Sequence, residues 1–150
     1  MKVIIQQMNR FLFAIATTTI VALMITSCND SQLQKIEGGP EFAAVSGTVK
    51  FKTTDNNNTK ITLETRCLAR PSKVSPDATT YVLWAKPVST DTPPQNMGAF
   101  RVDDDLKGSI ETIIPFNEFN LFVTLERDGG TTTPSGAHVL ETQILPRQKK

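Results

Sequence analysis

Few residues in this 150-residue chain can carry covalent or metal chemistry: one histidine, His138, and two cysteines, Cys28 and Cys67. A blue-copper centre needs a thiolate and two imidazoles, and structural zinc sites draw on several Cys and His together. One histidine supplies neither. Triad hydrolysis would need His138 as base beside a nucleophile, yet His138 opens the strand-like run "HVLETQIL" with no nucleophile motif near it. Asp103, Asp104 and Asp105 could offer oxygen ligands to Ca2+. Followed by "LKG", they read instead as the polar turn of a hairpin, and the sequence has no second acidic cluster. The expectation is a non-enzymatic protein with no catalytic residue, no metal ligand and no cofactor.

Cys28 belongs to a different chemistry. Lys2 and Arg10 precede "FLFAIATTTIVALMI", an uncharged apolar run from Phe11 to Ile25. It falls short of the roughly 20 residues that span a bilayer as a helix and suits the apolar core of a secretory signal. Ser27, a small residue, stands just before Cys28. That arrangement resembles the bacterial lipobox, which implies diacylglycerol on the Cys28 thiol and cleavage before it. A plain secretory signal with a chance cysteine, or a retained membrane anchor, are the alternatives. Residue 29 is Asn rather than Asp, so the inner-membrane retention signal of enterobacterial lipoproteins is absent. "SCND" is similar to the start of many lipoproteins of the Bacteroidota, which points to the outer membrane, on its periplasmic or surface face.

The expected organisation is a signal peptide over 1–27, a lipidated flexible tether over 28–44, a single folded domain over 45–146 and a basic tail over 147–150. The tether reading rests on the polar "NDSQLQKIEGGPE" and its Gly-Gly-Pro break. Removing Lys2 and Arg10 with the signal leaves 14 basic against 15 acidic residues, a net charge of −1. Nucleic-acid binders usually show a clustered basic footprint, so no nucleic-acid partner is expected. With Cys28 committed to lipid, Cys67 has no intramolecular partner, and packing alone must hold the domain. In "KITLETRC" Cys67 shares a strand face with Ile61, Leu63 and Thr65, which reads as a small buried hydrophobe. A reactive or intermolecular thiol is the alternative.

From Val45 onward, short apolar runs recur between turn residues. "VSGTVKFKT" and "KITLETRCL" alternate, and "TYVLWAKP" is apolar on both faces, as for a strand in mid-sheet. "MGAFRV", "GSIETII", "FNLFVTLE" and "HVLETQIL" complete a set of seven, with no sustained helical period. Seven short strands so spaced predict an all-β fold, an antiparallel Greek-key β-sandwich of immunoglobulin-like architecture. Trp84 and Tyr81 are expected in its core.

"YVLWAKP", "MGAFRVDDDLKG" and "FNLFVTLERDGGTTTPSG" followed by "HVL" resemble the extracytoplasmic C-terminal domain of anti-sigma-K factors. The likeness runs from about Gly47 to Leu145, and Trp84, Gly98, Phe100, Thr124, Glu126, Gly129, Gly130 and Pro134 carry it. Proteins of that family add a cytoplasmic helical domain that grips the sigma factor, often with a His…Cys-x-x-Cys zinc motif, and a transmembrane helix. Neither is present here, so the resemblance implies the outer module alone on a lipid anchor, with no direct sigma-factor contact.

Within that ending, Glu126 closes a strand and is placed to accept N–H bonds from the loop after it. Gly129 and Gly130 are expected to supply backbone angles closed to other residues, and Pro134 to Gly136 to turn the chain into the last strand. A structural clamp is the leading reading of Glu126 and a recognition loop the other. The function expected is a membrane-anchored, non-enzymatic binding or signalling-accessory lipoprotein of the cell envelope, partnered by the membrane and by another envelope protein. The alternative is an envelope structural or glycan- or small-ligand-binding lipoprotein with no signalling role.

Overall fold

The structure, a computed structural model, describes residues 31–145. The signal peptide, Cys28 with the first tether residues, and the basic tail 147–150 lie outside the described residues. Eight strands form two antiparallel four-stranded sheets. They are β1 (Gln32–Glu37), β2 (Ser46–Thr53), β3 (Thr59–Arg66), β4 (Thr80–Pro87), β5 (Gln95–Phe100), β6 (Gly108–Ile114), β7 (Phe119–Glu126) and β8 (His138–Ile144). One sheet runs β1-β2-β3-β6 and the other β5-β4-β7-β8. The non-consecutive pairs β3–β6 and β4–β7 interlock the two layers, which is the Greek-key, immunoglobulin-like sandwich the alternation predicts.

Period-two patterning sets the inward faces. Val49 and Phe51 of β2 and Ile61 and Leu63 of β3 point in and are buried, while Lys50 and Lys52 point out. Across the layer, Leu83, Leu121, Val123 and Ile144 are wholly buried against them. At roughly 1.5–3 kcal/mol for each large side chain removed from water, this shared core is the main stabilising term. Tyr81 reaches it with its ring stacked on Phe100, centroids 5.8 Å apart. Its hydroxyl donates to the carbonyl of Ala69 at 2.8 Å, and burial pushes its pKa up to about 12.

Two expectations require correction. Gln32–Glu37 is not tether but an edge strand, paired along its whole length with β2 from Gln32 opposite Phe51 to Glu37 opposite Ser46. Only Ile36 is buried in it, so its apolar pattern is faint. What holds it is polar: the Gln34 amide donates to the Thr142 hydroxyl at 2.6 Å and to the Gln143 carbonyl at 3.0 Å, which stitches β1 to β8 across the two sheets. Cys67 is exposed rather than buried. The ladder ends at Arg66, and Cys67 takes a left-handed φ of 58°, which swings the next residue inward. Leu68 fills the core place instead, with no exposure.

Register also fixes the two ends of the sandwich. At one, here the entry end, Lys52 faces Lys60, Lys60 faces Ile113, and Phe119 lies between Pro87 and Ile144. The chain enters β1 and leaves β8 there, and the β2–β3, β4–β5 and β6–β7 connections lie there too. The opposite, loop end carries the β1–β2, β3–β4, β5–β6 and β7–β8 connections. A four-residue helix, α1 (Pro71–Val74), interrupts the β3–β4 link.

Candidate functional site

The outer face of a sandwich sheet is ordinarily polar. On β4 and β7, however, Val82, Trp84 and Phe122 form a second buried cluster on the side away from the shared core. Trp84 stands opposite Phe122, and Val82 opposite Thr124. The Trp84 and Phe122 rings stack 6.3 Å apart, and the exposed His138 ring lies flat on Phe122 at 4.9 Å. Trp84 is thus fully buried, as its sequence context predicts, but outside the inter-sheet core.

The β7–β8 loop, residues 127–137, is tied down beside this cluster. The Asn96 amide donates to the carbonyls of Gly129 at 2.9 Å and Thr131 at 2.7 Å. Its Oδ1 accepts the N–H of Gly98 at 2.9 Å. A hydrogen-bond chain begins underneath. Trp84 Nε1 donates to Thr124 Oγ1 at 2.8 Å, and Thr124 donates to Glu126 Oε1 at 2.7 Å. Direction is forced: an indole can only donate and a carboxylate can only accept, so the hydroxyl between them must do both.

Glu126 then gathers the loop. Its Oε1 also accepts the N–H of Ser135 at 2.9 Å and of Gly136 at 3.1 Å, while Oε2 accepts the Ser135 hydroxyl at 2.7 Å. Burial of the carboxyl works to raise its pKa. The bonds from Ser135, Thr124 and Gly136 outweigh that and hold it below the ordinary 4.5. A buried charge is tolerable only when its lone pairs are so filled.

The glycines act differently from expectation. Neither Gly129 nor Gly130 has a positive φ; among the described glycines only Gly98 does, at 126°, where the β4–β5 register shifts. Gly129 is required sterically, since a Cβ there would sit 2.7 Å from that of Ala99. Gly136 is held more tightly still, because a Cβ would fall 1.6 Å from the Leu125 carbonyl oxygen. Gly130 donates its N–H to Asp128 at 3.0 Å and meets no backbone. Phe100 faces inward against Tyr81. Pro134 is half-buried immediately before Ser135.

The structure therefore brings Trp84, Thr124, Glu126 and Gly129 into one assembly and leaves Phe100 in the shared core. Asn96, Ser135 and Gly136 belong to that assembly and were not singled out in the sequence. Ser135 and Gly136 sit in the turn read from "PSG", whereas nothing in the local pattern around Asn96 marks it. Beside the loop, Thr79, Ala99, Arg101, Arg127 and Gly129 help line an open groove of about 530 Å3.

The three aspartates of the β5–β6 connection are each engaged separately. Asp103 Oδ1 accepts the N–H groups of Asp105 and Lys107, both at 2.9 Å. Asp104 pairs with Arg70, and Asp105 lies 3.3 Å from the Lys107 ammonium. Among the described residues no three His, Cys, Asp or Glu side chains are grouped to hold a metal, and no helix is long and apolar enough to cross a membrane. No protein-family model matches the chain, and neither does any curated protein.

Proposed function

We propose that this chain is a lipid-anchored envelope protein whose β-sandwich acts as a non-enzymatic binding module, an accessory to a signalling system at the cell surface. Its contact surface on that reading is the loop end, and the clamped β7–β8 loop is its centre. One observation carries the proposal: the Trp84–Thr124–Glu126 chain fixes an exposed loop in a single shape by filling a buried carboxylate with four donors. Core packing alone does not call for such an arrangement. A pre-ordered loop binds with less entropy to lose, and Arg101, Arg127 and Asp128 give it charged contacts beside the groove. The resemblance of Trp84, Gly98, Phe100, Thr124 and Glu126 in their order to the outer domain of anti-sigma-K factors supports the signalling link, and the lipobox-like "ITSC" supports the anchor.

The test is photo-crosslinking in living cells from probes placed at Thr132 and Thr133 on the loop, with captured proteins identified by mass spectrometry. Specific capture of an inner-membrane regulator or a surface receptor is expected. Capture of glycan-handling or cell-wall machinery alone would move the reading to an envelope lipoprotein with no signalling role.

A further inference from the structure

Resting on the lipid-anchored reading, we infer that the outer face of the β1-β2-β3-β6 sheet, at its entry end, lies on the phospholipid headgroup surface, so that the domain is docked rather than free on a tether. The first observation is a length. With β1 beginning at Gln32, only Asn29, Asp30 and Ser31 separate it from Cys28. Four residue steps span at most about 14 Å, roughly twice the ~5–8 Å headgroup layer on one side of a bilayer. An acylated Cys28 therefore holds the entry end within reach of lipid at all times, and docking becomes an intramolecular event at high effective concentration.

The second observation is what that end presents. Six large hydrophobic side chains are exposed among the described residues, and four of them, Leu33, Val88, Ile113 and Leu145, stand at the entry end. Leu33 and Ile113 are 68% and 57% exposed on the sheet's outer face. Between them on that face lie Lys50, Lys52 and Lys60. Glu111 is the acidic group among these rows, and Lys60 pairs with it at 2.6 Å; among the described residues Lys50 and Lys52 form no ion pair. Toward the loop end the same face balances Lys35 and Arg66 against Glu37 and Glu64. Cations flanked by scattered apolar side chains suit an anionic, partly apolar interface. The turns of the entry end also carry Asp55, Asp91 and Glu118, so contact falls on the sheet face rather than on the tips. Past Leu145 the chain adds Arg147, Lys149 and Lys150.

The occupant is a phospholipid bilayer containing anionic lipid, and the test uses the full mature lipoprotein. It is reconstituted into phosphatidylethanolamine vesicles with phosphatidylglycerol and spin-labelled either at Cys67, at the loop end, or at Thr62→Cys, on the outer face opposite Lys50, in a Cys67→Ser background. Collision with a water-soluble nickel complex is expected to fall severalfold at position 62 relative to detergent solution and to stay unchanged at Cys67. Lys50→Glu with Lys52→Glu should restore access at position 62, as should omission of phosphatidylglycerol. A lipidated chain whose position 62 is no less accessible in vesicles than in detergent overturns docking alone. A mature chain with no diacylglycerol mass on Cys28 overturns the anchored reading, and this inference with it.

Discussion

The described residues form two buried clusters, built on opposite principles. The inter-sheet core, with Ile61, Leu63, Leu83 and Val123 among its residues, is apolar, gathers side chains from both sheets and depends on volume. The outer cluster of Val82, Trp84 and Phe122 is small and ends in a polar chain whose every donor and acceptor is assigned. Apolar packing tolerates rearrangement so long as volume is kept, whereas a buried polar network is satisfied in one arrangement only. The first cluster holds the domain together. The second decides the shape of one loop.

The sharpest way to break that division is to truncate one residue on each side of β4. Trp84→Ala should cost about 3–5 kcal/mol and Leu83→Ala about 2–5 kcal/mol, measured by chemical denaturation. Native-state amide exchange should separate them: Trp84→Ala removes the protection of the Ser135 and Gly136 amides, and Leu83→Ala leaves their local opening unchanged. Equal loosening by Leu83→Ala would mean that the two clusters are one unit.

A middle-sized effect tests the polar chain alone. Glu126→Ala should lower stability by about 1–3 kcal/mol through unpaired loop donors. Because the folded Glu126 carboxyl titrates below 4.5, its contribution is fully present above that pH and is lost as the pH falls through the folded value. Glu126→Gln should therefore flatten the acid limb of the stability curve. The exposed Glu111, held down chiefly by its hydrogen bond from Lys60, titrates in the same sense, so the difference between wild type and Glu126→Gln is the quantity to read. Identical acid limbs would remove the carboxylate from the account.

The smallest effect marks the boundary of the assembly. Arg127 pairs with Asp77 at 2.5 Å across open solvent, and Arg127→Ala should cost less than about 1 kcal/mol with Ser135 still protected. A larger loss in thermal melting would extend the clamp to the surface.

Much of this was legible in the sequence because strand alternation and turn chemistry are local. β6 and β7 match their expected runs, and the inward set Leu121, Val123, Leu125 follows from period two. "TYVLWAKP" announced a strand covered on both faces, yet what covers the outer one is a loop more than 40 residues away, and no local pattern encodes that. β1 escaped because its two apolar residues, Leu33 and Ile36, stand three apart and give no strand period, and its fastening through Gln34 is a contact across 108 positions. Cys67 was misplaced by a single left-handed residue, which a propensity for strand does not reveal. The acceptor role of Glu126 was readable from its place at a strand end before Gly-Gly and Pro-Ser-Gly turns. Its partnership with Trp84 through Thr124 was not, since it depends on which strands are neighbours.

The pairing of β1 with β2 has a mechanical consequence. Load arriving through residue 31 pulls β1 along its own axis, while resistance at the loop end holds β2 from the other direction. The six residue pairs of that ladder are then strained in shear and share the force, instead of parting one after another as in a peeled hairpin. A sandwich gripped at those two places resists being drawn out into thread.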